Sequence, residues 1–152
     1  MDFVLDTNIL VHFVRSDAHI RQLDDRFHLF APENSTFVSL VSVGEIRSLA
    51  FQLNWGEAKI QRMNFFLHAL NPFPVESDEI AAAYADLDAY SQCLHPRYPT
   101  PTGMSSRNMG KNDLWIAATA ILFNATLLTT DADFEHLAPL FLKVERVRFL
   151  PA

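Results

Sequence analysis

Four acidic residues, Asp6, Glu45, Asp113 and Asp131, recur at one kind of position, just past a short apolar run or at the opening of a helical one. Two carboxylates about 4 Å apart repel by roughly 4 kcal/mol at an effective dielectric of 20, so a converging quartet must be protonated or neutralised by a cation. An all-oxygen donor set suits Mg2+ or Mn2+, whereas zinc would ordinarily want His or Cys. Each acid also has a purely structural use. Asp caps helix N-termini, and Ser42-Val43-Gly44-Glu45 has the form of a capping box in which the Glu bonds back to the cap. Asp113 before Leu114, and Thr130, Asp131 and Asp133 before Phe134, fit capping too. Singly, capping suffices for each acid; whether all four meet depends on the elements that carry them.

Those elements alternate. Short apolar or β-branched runs at residues 2–5, 36–41, 73–75, 125–129 and 143–149 read as strands, the third restricted to an edge by Pro72 and Pro74, the last also at an edge. Between them lie stretches of helical periodicity. Ile9, Leu10 and Phe13 mark one helix, Ile20, Leu23, Phe27 and Phe30 a second, and Val43, Ile46, Leu49, Ala50 and Leu53 a third. Ile60, Met63, Leu67 and Leu70 mark a fourth, and residues 77–94 a fifth, with Ile80, Tyr84, Leu87 and Leu94 on one face. Residues 114–123, apolar nearly all round, predict a central buried helix, and 134–137 a helical turn. The expected fold is an α/β/α three-layer sandwich with a mainly parallel sheet, one domain over residues 1–152. Parallel strands share one C-terminal edge, where open sheets of this kind place ligands, so the four acids are expected to surround one crevice there.

Composition limits the alternatives. At 152 residues, 49% hydrophobic and 20% charged, the chain is neither disordered nor fibrous. Cys93 is the only cysteine, which excludes an intrachain disulfide or a cysteine-built cluster and points to a reducing, cytoplasmic setting. No secretory leader or membrane span is expected: residues 1–8 lack a basic start, and the longest apolar run, 114–128, is interrupted by Thr119, Asn124 and Thr126. The net charge of −6 argues against a protein that coats nucleic acid. Yet residues 89–112 contain no acid and carry Arg97, Arg107 and Lys111, in a long Pro- and Gly-containing connection over 95–110 of the sort that is commonly functional.

The segments VLDTN, SVGEI, KNDLWIAATA and LLTTDADF, from residue 1 to about 137, resemble the motifs of PIN-domain ribonucleases, and within them VapC-type toxins. The resemblance implies metal-dependent hydrolysis of RNA phosphodiesters by water activated on Mg2+ or Mn2+, leaving a 5′-phosphate and a 3′-hydroxyl. It implies that Asp6, Glu45, Asp113 and Asp131 are the catalytic metal site, that Asp133 is an auxiliary acid, and that Thr7, Asn8, Asn112 and Thr130 support the site or position substrate. It further implies a cognate antitoxin whose C-terminal segment lies in the groove, and a homodimer, for which Phe51, Phe65 and Phe66 are candidates. Arg97, Arg107 and Lys111 are expected to hold RNA phosphates, with Tyr98 a candidate for stacking on a base. The six histidines, His12, His19, His28, His68, His95 and His136, are not spaced as ligand pairs, and His95 alone merits a test. The competing expectation is a non-catalytic PIN-like module that binds RNA or protein. A phosphotransfer domain is disfavoured, since Asp6-Thr7-Asn8 lacks a paired DxD and no GxGxxG or GKS/GKT is present.

Overall fold

A computed structural model describes residues 1–151. Five strands, β1 (Asp2–Leu5), β2 (Ser35–Ser39), β3 (Asn71–Phe73), β4 (Thr126–Thr129) and β5 (Lys143–Arg146), form one sheet in the order β3-β2-β1-β4-β5. Every pairing is parallel, with Val4 opposite Phe37 on one side and Leu127 on the other. Both edges are the expected ones. Pro72, which has no N–H to donate, sits in the short edge strand β3.

The helices are α1 (Thr7–Arg15), α2 (Asp17–Phe27), α3 (Leu40–Gln52), α4 (Glu57–Ala69), α5 (Asp78–Ser91) and α6 (Lys111–Leu122), with a short 3-10 helix at Ala132–Leu137. Strand alternation explains the layering. Phe3 and Leu5 face a core shared with residues of α1, α3 and α4, while Val4 between them faces a second core built by α5, α6 and the 3-10 helix. β4 divides likewise, Leu128 to the first core and Leu127 to the second. α6 buries Leu114, Ile116, Ala117, Ala118, Thr119 and Ala120, which accounts for its lack of a polar face.

Several boundaries differ from the sequence expectation. β2 stops at Ser39, not residue 41, because the Ser39 hydroxyl accepts from the Val41 N–H at 3.2 Å and starts α3 there. The third strand lies at Asn71–Phe73, two residues earlier than expected, and the last ends at Arg146. α5 ends at Ser91, short of residue 94, where Cys93 takes a left-handed conformation with φ 60°. α6 opens three residues early, at Lys111. Residues 95–110 form no regular element but are packed: the Arg107 N–H donates to the Ser91 carbonyl at 2.7 Å, and Met109 is buried in the second core.

Candidate active site

β1 and β4 deliver Asp6 and Asp131 at the C-terminal edge of the sheet, and α3 and α6 bring Glu45 and Asp113 to it. Asp6 is the N-cap of α1 and is 3% exposed. Its Oδ1 accepts the Thr7 N–H at 2.7 Å and its Oδ2 accepts the Thr129 hydroxyl at 2.7 Å. Burial nevertheless pushes its pKa up to about 6, with the Glu45 and Asp131 charges adding to the rise and the two hydrogen bonds opposing it. Asp113 is pushed up to about 6 as well, first by burial and then by Asp6, Glu45, Asp131 and Asp133. Residues separated by more than a hundred positions thus act on one another's charge.

The capping alternative divides residue by residue. Asp6 caps α1, and Asp131 caps the 3-10 helix by accepting the Asp133 N–H at 2.9 Å, so these two cap and converge at once. The Ser42–Glu45 capping box is not formed. With α3 begun at Leu40, Ser42 is already inside the helix and its buried hydroxyl lacks a partner, while Glu45, more than a turn past the helix start, accepts the Thr7 hydroxyl at 2.7 Å. Asp113 does not cap either. Gly110 occupies that position, and Asp113 stands third in α6, with its Oδ2 in van der Waals range, 3.4 Å, of where a Cβ at Gly110 would lie.

Of the supporting residues, Thr7 ties Asp6 to Glu45 through its N–H and hydroxyl, and Asn8 and Asn112 are exposed on the groove beside the acids. Thr130 accepts from Arg146 Nε through its carbonyl at 3.4 Å, and the neighbouring Thr129 hydroxyl is the one that bonds Asp6. Thr129, fully buried, donates to Asp6 and accepts the Asp131 N–H at 2.9 Å, clamping two of the acids. Sequence reasoning misses Thr129; its place as the last strand residue beside two acids is the signal that could have found it. Asp133 is exposed and lines a cleft of about 210 Å3 with Arg107, Asn108, Met109 and Gly110. A larger groove of about 720 Å3 starts at Asp6, Glu45 and Asp113 and runs along α1 and α3 past Val11, Ser48 and Leu49 to Gln52.

Lys111, exposed in the first turn of α6, stands two residues before Asp113, and Arg107 lies beside Asp133, so two of the three basic residues flank the acids. Arg97 is placed against α5, 3.8 Å from Asp86 with its guanidinium over the Tyr98 ring. Tyr98 packs between His95 and Phe141, ring centroids 4.6 and 5.2 Å away, instead of presenting a free face for a base. The His95 side chain is 3% exposed; Nε2 donates to Asp86 at 2.9 Å and Nδ1 accepts the Arg97 and Tyr98 N–H groups, a clasp that folds the loop. His12 and His19, seven residues apart, do pair, Nδ1 to Nδ1 at 3.0 Å under Phe149. Phe66 belongs to the core, whereas Phe51 and Phe65 are 84% and 66% exposed.

Any metal or cofactor would have to be held by oxygen atoms here. Among the described residues no three His, Cys, Asp or Glu side chains form a ready-made cage. An open acidic rim suits a hydrated Mg2+, which typically takes one or two carboxylates and keeps several waters, better than a closed structural ion.

Among curated proteins, the chain is 25% identical over 142 residues to ribonuclease VapC1 of Haemophilus influenzae, covering 92% of this chain and 95% of that one. To ribonuclease VapC4 of Mycobacterium tuberculosis it is 32% identical over 98 residues, 64% of this chain and 67% of that one. Its fold matches that of VapBC2 from Rickettsia felis, solved on a promoter DNA fragment, with a TM-score of 0.74, 24% identity and coverage of 96% and 98%. No helix among the described residues is long and apolar enough to cross a membrane. Residues 3–140 match the PIN domain, and the chain belongs to that family.

Proposed function

We propose that this protein is a Mg2+- or Mn2+-dependent endoribonuclease, the toxin of a toxin–antitoxin pair acting in the cytoplasm. The observation that carries the reading is the pair Asp6 and Asp113, both pushed up to about 6 by burial and by the surrounding acids, at the sheet edge where Glu45 and Asp131 also stand. An arrangement that costs stability is retained at a crevice, which is where functional carboxylates are expected. The activity carried in the relatives' name, ribonuclease VapC, supports the same chemistry.

Asp6, Asp113, Glu45 and Asp131 offer the oxygen donors for a hydrated hard divalent ion, one or two of which would bind it directly and the rest through its waters, with Asp133 at the rim. When bound, such an ion would lower the pKa of water and stabilise negative charge developing on the phosphoryl oxygens. The chain's own residues do the rest. Thr7 and Thr129 hold the Asp6 carboxylate from both sides, so that it is aimed before any ligand arrives. Thr7 fixes Glu45 in the same way. Lys111 and Arg107 offer positive charge for the phosphates beside the acids, and Asn8 and Asn112 offer neutral amides that donate to phosphate or sugar oxygens. The antitoxin is proposed from the VapBC complexes the fold resembles, and a homodimer from the exposed Phe51 and Phe65.

Purified protein incubated with structured RNA should cut it in Mn2+ or Mg2+, stop in EDTA, and fail as Asp6→Asn, with 5′-phosphate ends on the products. Cutting that persists in EDTA would refute the metal mechanism. Binding without cutting in either metal would favour a non-catalytic module.

A further inference from the structure

The large groove lies between α1 and α3, with the acids at one end. On the α3 side, Glu45, Ser48 and Gln52 share one stripe of the helix, at spacings of three and four residues. Apart from Glu45 at its inner end, that wall is uncharged: Val41, Gly44, Ser48, Leu49 and Gln52. The facing wall is α1, with Thr7, Asn8 and Val11; at the acid end Lys111 opens α6 two residues before Asp113, and Arg107 lines the neighbouring cleft with Asp133. A phosphate backbone follows the cations and avoids the acids except where an ion screens them, which leaves the bases facing α3. The groove, at about 720 Å3, falls within the range of bound small ligands and has room for a base turned out of a stack.

At the far end, Gln52 Nε2 donates to the Ser48 hydroxyl at 3.0 Å. This bond spends one amide N–H and leaves the carbonyl oxygen and the second N–H for a partner. A carboxamide with one donor and one acceptor free is the group that pairs with a base edge, adenine N6 and N7 above all. Seven residues of helix separate Gln52 from Glu45, about 10 Å along the axis, which puts the amide beside a nucleotide neighbouring the one at the acids. Paired RNA hides its bases in a stack behind a deep, narrow major groove; unpaired RNA does not.

We propose that Gln52, presented by Ser48, reads a base of an unpaired RNA segment whose phosphates run past Lys111 and Arg107, making Gln52 a specificity-determining residue. The proposal rests on the nuclease reading for the placement of the scissile phosphate, but its test does not need cutting. Fluorescent single-stranded homopolymers of A, C and U, and an A–U duplex, are titrated against the full chain carrying Asp113→Asn, and against the same chain with Gln52→Ala or Ser48→Ala. Single strands should bind more tightly than the duplex, with A preferred by about fivefold or more. Gln52→Ala should flatten that preference to near one, and Ser48→Ala should reduce it. Gln52 is exposed in the last turn of α3, so neither change should unfold the protein. A preference that survives Gln52→Ala, equal binding of all three homopolymers, or tighter binding of duplex overturns the proposal and leaves the α3 wall to a protein segment. Metal-dependent cutting without a Gln52-dependent preference would keep the nuclease and lose the reader; a Gln52-dependent preference without cutting would do the reverse.

Discussion

Replacing Asp6 with Asn should stabilise the metal-free protein, and the gain should depend on pH in a defined direction. The Asp6 carboxyl is raised in the fold from 3.8 to about 6, so the fold disfavours its ionised form. A folded-state pKa above the unfolded value means that the penalty is absent below about pH 4, grows as pH rises between the two values, and is complete above about pH 6.5. A shift of about two pH units corresponds to roughly 3 kcal/mol at neutral pH. Asn preserves the local structure: its carbonyl can still accept the Thr7 N–H, and its amide can donate to the Thr129 hydroxyl, which still accepts from the Asp131 N–H. For a chain of this length about 1 kcal/mol is worth roughly 2–4 °C, so the ceiling on the gain at pH 7 is about 10 °C. Thermal denaturation of both proteins in EDTA across pH 4 to 8 measures it. A gap that opens with rising pH supports the reasoning; a variant less stable at pH 7, or a gap flat with pH, would refute it and leave Asp6 as a cap only.

Four other outcomes follow from the same geometry. Thr129→Val keeps the shape but strips Asp6 Oδ2 and the Asp131 N–H of their partner, and chemical denaturation should show a loss of about 1–3 kcal/mol. Adding Mn2+ should restore less stability to that variant than to the parent, because the acids are no longer aimed. Changing Arg107 and Lys111 together to Ala should weaken RNA binding and flatten its salt dependence by roughly 0.7 for each phosphate left without its cation, as read by titration at several ionic strengths; an unchanged slope would remove both from the RNA path. Phe51→Glu with Phe65→Glu should leave the melting temperature nearly unchanged while turning any dimer into monomer in sedimentation, and a persistent dimer would place its interface elsewhere.

The order of strands and helices was legible because each apolar run carries its period, and parallel connection then sends the acids after β1 and β4 to one edge. Boundaries were less so. Residues 40–43, Leu-Val-Ser-Val, have the composition of a strand, and only the Ser39 hydroxyl closing on Val41 turns them into helix. That three-residue shift of the cap, from Ser42 to Ser39, removed the Ser42–Glu45 capping box and left Glu45 to Thr7. Thr129 and Thr130 are identical in sequence terms, and strand alternation alone decides which hydroxyl meets Asp6. The packing of Phe149 over the His12–His19 pair, and the burial of Tyr98 against Phe141, depend on partners far along the chain, which no local pattern reveals. Polar side chains that act through tertiary neighbours were the least readable part of the site.

If one cation answers acids from four distant stretches of the chain, Mn2+ titration tests this most directly. Calorimetry and paramagnetic resonance should show Mn2+ bound by the parent protein at neutral pH. Binding should weaken severalfold or vanish as Asp6→Asn and, separately, as Asp113→Asn, and should weaken in the parent as pH falls through about 6, where both carboxyls take up protons. Mn2+ that fails to bind, or that binds both variants as tightly as the parent, would contradict a shared metal site.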